Sequence, residues 1–155
     1  MNPYQMAARE GKYYLICNYD KYDTVSNYRI DRILDLKVLA DPVKPFESLK
    51  GSSGQALDLA SYMKEHPYMY AGSNVHVKFR MARSMIGDML EVFGKEVKFS
   101  EEDEAEVTAV VRTNEMAAEQ FAKNYAPDVI ILEPKRLRER VKEGLKKGLN
   151  AYGDT

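Results

Sequence analysis

Two arginines, Arg29 and Arg32, stand three positions apart in a stretch crowded by Tyr4, Tyr13, Tyr14, Tyr19, Tyr22 and Tyr28. A guanidinium offers a planar fork of donors that matches a phosphate. Phenol rings offer faces on which a base can stack. The chemistry open to this set is non-covalent capture of an anion that carries a flat ring. An ordinary reading stands beside it, in which the tyrosines are plain strand residues and the arginines pair with Asp31 and Asp35. Position 32 sharpens the choice. In "NYRIDRILDL", Tyr28, Ile30, Leu34, Leu36 and Val38 share one parity, and Arg29, Asp31, Asp35 and Lys37 the other. Arg32 falls on the apolar parity. Either it lines a pocket mouth, with its stem packed and its head turned to an anion, or a β-bulge near residues 31–33 rotates it outward.

Other chemistries find little support. His66 and His76 lie ten residues apart, without metal-ligand spacing to Cys, Asp or Glu. Cys17, the one cysteine, sits in an apolar run and is expected as a small buried hydrophobe with no disulfide partner. No nucleophile elbow, Walker loop or paired-glycine fingerprint occurs. "GSSG" (Gly51–Gly54) reads as a linker, and "EEDE" (Glu101–Glu104) as a solvated turn without calcium-loop spacing. Neither an enzyme nor a cofactor or metal protein is expected.

Composition agrees with a binding protein of modest charge. The chain has 155 residues, 45% hydrophobic and 30% charged, with a formal net charge of −1. That balance excludes a global basic footprint for nucleic acid, so a polyanion site has to be local. Residues 134–155 hold seven Lys or Arg against three Asp or Glu. This local excess suits either phosphate contact or a solvated helix face with cations near its C-terminus. Signal-peptide order and membrane-length apolar runs are absent from the chain, which predicts a cytoplasmic protein.

The elements that must position these residues follow from periodicity. Residues 3–8, Tyr13–Asn18 and the stretch from Asn27 towards Val38 read as strands, the last with a kink. Two prolines in "ADPVKPFES" end the all-β part. "KGSSGQ" reads as a flexible linker before a short helix, Ala56–Glu65, stopped by Pro67. The second half runs strand, helix, strand, strand, helix, strand, helix. Val75, Val77 and Phe79 alternate with polar residues. Ala82, Met85, Ile86, Met89, Leu90 and Phe93 follow a helical spacing, with Gly94 at the cap. Val97 and Phe99, then Val107, Ala109 and Val111, mark two more strands. Thr113 or Asn114 can cap the next helix. "DVIILE" reads as a central strand, being apolar throughout. Leu137, Val141, Leu145 and Leu149 form the stripe of the last helix. The expected class is α+β: an all-β part over residues 1–50, a linker with a short helix over 51–72, and a ferredoxin-like βαββαβ unit with a C-terminal helix over 73–155.

The first half resembles the WYL domain of bacterial transcriptional regulators. The likeness is carried by Pro3-Tyr4-Gln5-Met6, by Tyr13-Tyr14-Leu15, and by the strand Ser26-Asn27-Tyr28-Arg29-Ile30-Asp31-Arg32-Ile33. "HPYMYAGS" and "LEPKRLRERV" sit where the C-terminal extension of that family places them. The resemblance implies a partial Sm- or SH3-like β-barrel over residues 1–50 and a homodimeric sensor that takes a nucleotide or short single-stranded nucleic acid; Tyr14, Tyr28, Arg29 and Arg32 are the expected ligand-binding residues. It also implies control of operator DNA through an N-terminal helix-turn-helix; that element and the first WYL strands are expected to be missing here, so the chain is expected as a fragment with an incomplete barrel. Two departures are Tyr13 for the family tryptophan and Ser26 for the first arginine of the strand pattern, which puts one ligand contact in doubt. A purely structural dimerisation module and a general RNA-binding barrel are the rival readings.

Overall fold

A computed structural model describes residues 1–70, 72, 74–100 and 103–153. It divides into two compact units, Met1–Gly72 and Ser73–Thr155, and is α+β in both.

The first unit is an open antiparallel meander of β1 (Asn2–Arg9), β2 (Lys12–Asn18) and β3 (Val25–Arg29). Glu10 and Gly11, both at positive φ, make the tight turn between β1 and β2. The register pairs Ala7 with Tyr14 and Tyr14 with Arg29. Residues opposite one another share a face, so Ala7, Tyr14, Ile16, Val25, Asn27 and Arg29 lie on one side of the sheet. α1 (Leu59–Glu65), capped by Asp58 accepting from the Ala60 N–H, covers that side. Ala7, Ile16 and Met69 form the buried centre, with Tyr14, Val25, Leu57, Leu59, Tyr62 and Met63 packed around it. "KGSSGQ", expected to be flexible, is a hydrogen-bonded turn. Lys50 N donates to the Asp23 carbonyl, and Ser52 Oγ donates to the carbonyls of Glu47 and Leu49.

The expected long third strand ends early. β3 stops at Arg29, a 3-10 turn occupies Ile30–Arg32, and residues 33–39 have no regular structure. The ladder between β2 and β3 closes at Tyr14 and Arg29, although β2 itself runs on to Lys12, paired there with β1, and an extended strand without a neighbour leaves its peptide groups to water. The burial parity is also reversed. Tyr28, expected on the core side, is exposed, and Arg29 is half-buried, because α1 covers the face of residues 25, 27 and 29.

The second unit has four antiparallel strands: β4 (Asn74–Ala82), β5 (Lys98–Ser100), β6 (Glu106–Asn114) and β7 (Val129–Glu133). Their spatial order, β5-β6-β4-β7, is that of the split βαβ, ferredoxin-like fold. α2 (Ile86–Phe93) follows β4, and α3 (Glu115–Asn124) follows β6. Phe79 of β4, Phe93 of α2 and Phe121 of α3 meet with ring centroids 5.0–6.2 Å apart, so both helices pack on the face that carries Val77, Phe79 and Met81. Gly94 at φ +79° ends α2, and the Asn114 side chain accepts from the Ala117 N–H to start α3. In the "EEDE" stretch, Glu101 and Glu102 lie outside the described residues, and Asp103 accepts the N–H groups of Ala105 and Glu106.

Two expectations for the end of the chain need correction. β7 lies at the sheet edge, not its centre. It is apolar throughout because α3 and α4 (Lys135–Gly153) both pack against it. The apolar stripe of α4 is buried only at its start: Leu137 is 0% and Val141 7% exposed, but Leu145 is 41% and Leu149 73% exposed. A 19-residue helix runs about 28 Å, well past a five-residue strand of about 17 Å. Phe121→Ala should therefore cost the second unit about 3–5 kcal/mol in urea unfolding, and Leu149→Ala no more than about 0.5 kcal/mol.

Candidate functional site

The first unit holds a cavity of about 890 Å³, lined from both faces of its sheet, by Tyr14, Asn27 and Arg29 on one and Leu15 and Tyr28 on the other. Arg9, Lys12, Arg29, Arg32 and Lys37 line it, against the carboxylates Glu10 and Asp35. Tyr14, Tyr28, Tyr68 and Tyr70 supply aromatic wall. The four residues expected at a ligand site, Tyr14, Tyr28, Arg29 and Arg32, are thus all brought to one cavity. Ser26 does not line it. The wider tyrosine crowd disperses: Tyr4 packs edge-on to Phe46 and donates to the Lys44 carbonyl, and Tyr13, Tyr19 and Tyr22 are exposed elsewhere.

The two arginines differ in state. Arg29 grips Asp31 with two hydrogen bonds, Nε to Oδ1 at 3.0 Å and Nη2 to Oδ2 at 2.5 Å. That contact holds the Asp31 carboxyl below its usual range and pushes Arg29 up. Arg32 has no ion pair among the described residues. The 3-10 turn at Ile30–Arg32 resets the strand's alternation, which explains an arginine on the apolar parity: no bulge is involved, and Arg32 lies on the cavity wall beyond the sheet.

Asn27 organises the cavity's far wall. Its Oδ1 accepts from Tyr62 Oη at 2.8 Å, and its Nδ2 donates to the Met69 carbonyl at 3.0 Å. A carbonyl can only accept, so the amide orientation follows from the network. Met69 is 3% exposed and takes φ +55°, an uncommon conformation for a side chain of this kind. It is held between Asn27 and the His66 carbonyl, which accepts from Met69 N at 2.9 Å. Tyr68 and Tyr70 flank it, so the strained residue aims both rings at the cavity. His66 stacks on Tyr62 with centroids 4.0 Å apart, and its Nδ1 lies 2.9 Å from the Tyr62 carbonyl, which makes Nδ1 the protonated donor. Burial lowers the His66 pKa, and burial pushes the Tyr62 hydroxyl up to about 12. Arg9 Nη2 donates to the Met63 carbonyl at the end of α1. Arg9, Lys12, Asn27, Tyr68 and Tyr70 are the contributors that strand alternation did not single out. The cluster of tyrosines in "HPYMYAGS" was their one visible signal, and Ala71 and Ser73 of that motif lie outside the described residues.

Elsewhere the chemistry is structural. Cys17 is fully buried and its thiol is raised by burial. Two arginines of α4 are engaged with α3: Arg136 pairs with Glu115 at 3.2 Å, and Arg140 with Glu115 and Glu119. Among the described residues no group of three or more His, Cys, Asp or Glu side chains is placed to hold a metal, and no helix is long and apolar enough to cross a membrane.

The chain is a small three-stranded unit with a cavity, joined in sequence to a ferredoxin-like unit. Residues 1–38 match the WYL domain and residues 73–149 the WCX domain, so the chain carries a WYL domain followed by a WCX domain. Among solved structures it is similar to a CRISPR Cas-related protein at 16% identity and a TM-score of 0.57, over 98% of this chain and 43% of that one. It also matches proteasome accessory factor B/C (PafBC) of Arthrobacter aurescens at 19% identity and a TM-score of 0.46, over 97% of this chain and 22% of that one. The chain therefore spans less than half the length of either. No curated protein matches it.

Because His66 is held neutral, its folded pKa lies below the unfolded value of 6.5. The unfolded chain then binds the extra proton first, so the stabilisation is complete above pH 6.5 and declines as pH falls below it. Urea titrations of the wild type should show falling stability from pH 7 to pH 5, and His66→Gln should flatten that slope. Asn27→Ala strands the Tyr62 hydroxyl and the Met69 carbonyl, and should cost about 2–4 kcal/mol.

Proposed function

We propose that this chain is the effector-sensing and dimerisation region of a transcriptional regulator, acting by binding and not by catalysis. The effector is a nucleotide or a short single-stranded nucleic acid. The observation that carries this reading is the cavity in which five cations and two carboxylates meet four tyrosines. Arg32, which makes no ion pair among the described residues, makes the first phosphate contact. Tyr14 or Tyr28 stacks a base, a contact worth about 1–3 kcal/mol. Arg29 joins only by exchanging Asp31 for phosphate, so effector binding and the conformation of the Ile30–Arg32 turn are linked. That turn leads directly into the exposed segment beyond it, and a differential affinity for two arrangements of the segment is what a sensor requires. In the parent protein the readout belongs to a helix-turn-helix that contacts operator DNA.

A structural dimerisation module is the second reading. The two-pronged closure of Arg29 on Asp31 favours it, since a satisfied arginine has less to offer a ligand. Fluorescence anisotropy of short labelled DNA and RNA oligonucleotides at two salt concentrations separates the two. The sensor reading expects binding that Arg32→Ala weakens by about 10-fold or more, the worth of a charge-assisted hydrogen bond. Arg29→Ala should have the smaller effect, because Asp31 competes for that side chain. No binding by the folded wild type would leave the dimerisation module standing.

A further inference from the structure

Residues 33–39, "ILDLKVL", carry the pattern of a strand without being one. Leu34, Leu36 and Val38 are 101%, 75% and 89% exposed, and Leu39 is 59% exposed. No hydrogen bond among the described residues involves Leu34–Leu39. A run of alternating apolar side chains with unpaired peptide groups is a template for another strand.

The sequence of the segment says which strand fits. Laid antiparallel to a second copy of itself and centred on Leu36, it sets Leu36 against Leu36, Leu34 against Val38, Asp35 against Lys37 and Ile33 against Leu39. One face then carries six apolar side chains, three from each copy. The other carries two carboxylate–ammonium pairs between two pairs of aliphatic side chains. Cross-strand pairs of both kinds stabilise an antiparallel ladder. A shift by two residues sets Asp35 opposite Asp35 or Lys37 opposite Lys37. The self-complementarity is thus specific to one register, and a two-fold axis through Leu36 is the symmetry of a closed dimer.

We propose that residues 33–39 form the interface of a homodimer by antiparallel pairing with the same segment of a second copy. Arg32, Leu34, Leu36 and Lys37 also line the cavity of the first unit. The partner's strand therefore stands along the cavity wall, and the site is completed by the dimer. The inference rests on the dimerisation half of the proposed function, and mass and cross-linking read it separately from oligonucleotide binding.

The test uses the full chain. Sedimentation equilibrium at tens of micromolar should give twice the chain mass of 17.7 kDa. Asp35→Lys, which sets Lys against Lys37, should weaken the dimer by about 10-fold. The swap Asp35→Lys/Lys37→Asp should restore it. Cys17 is fully buried, so a thiol introduced at an exposed position reports alone. Leu36→Cys should form a disulfide dimer under copper-phenanthroline and air, because directly opposed Cα atoms lie about 4.5–5.5 Å apart, within disulfide range. Leu34→Cys alone should not, its copies being offset by about 13 Å, but mixed with Val38→Cys it should. Circular dichroism confirms that each variant is folded. A monomeric wild type overturns the proposal, as it would if the segment pairs instead with a further strand of a longer chain. A dimer indifferent to Asp35→Lys, or equal cross-linking by Leu36→Cys and Leu34→Cys, overturns it as well.

Discussion

Asn27 uses both ends of its amide at once, and the geometry of the first unit depends on that. One end fastens the tyrosine of α1, the other a carbonyl in the turn that follows. Three strands and a seven-residue helix cannot bury much apolar area, and a small sheet of this kind is marginal on hydrophobic burial alone. A bifunctional side chain at the centre of the covered face offsets the deficit, because each of its bonds is made where water is largely excluded. The left-handed Met69, the stacked Tyr62–His66 pair and the placement of Tyr68 and Tyr70 all follow from where Asn27 holds the chain.

The same unit separates its two arginines by function. Arg29 leaves the sheet on the covered face and folds back on Asp31 two residues on. Arg32, beyond a single 3-10 turn, has no carboxylate within reach of that kind. One arginine is thus held in a local ring, and the other is presented to the cavity. That turn begins where the ladder between β2 and β3 ends, at Arg29. What would have been a continuous strand becomes a corner, with the exposed apolar run of residues 33–39 beyond it.

The second unit is stabilised in a more ordinary way. An aromatic trio fills the space between sheet and helices, and arginines of α4 bind glutamates of α3 in a small network. Part of the local positive excess of the last helix is therefore structural, since Arg136 and Arg140 are committed to carboxylates. The edge strand β7 is covered by the helices packed on it, which blunts an apolar edge that would otherwise invite pairing. In the first unit the exposed run of residues 33–39 has no such cover.

Much of this was legible in the residues themselves. Alternation at Val75, Val77 and Phe79, three-and-four spacing from Met85 to Phe93, Gly94 and Asn114 at their caps, and the order of elements all led to the ferredoxin-like unit, because each is a local property with a fixed period. The motifs around Tyr14, Arg29 and Arg32 likewise pointed to the side chains that gather at the cavity. Alternation could not say which face of β3 is covered, since that depends on α1, thirty residues away, and on Asn27, a polar residue that looks misplaced until its two partners are seen. Nor could it say where β3 ends or that β7 lies at an edge. A strand is a relation between segments, and its length and rank in a sheet are decided by the neighbours that tertiary structure supplies.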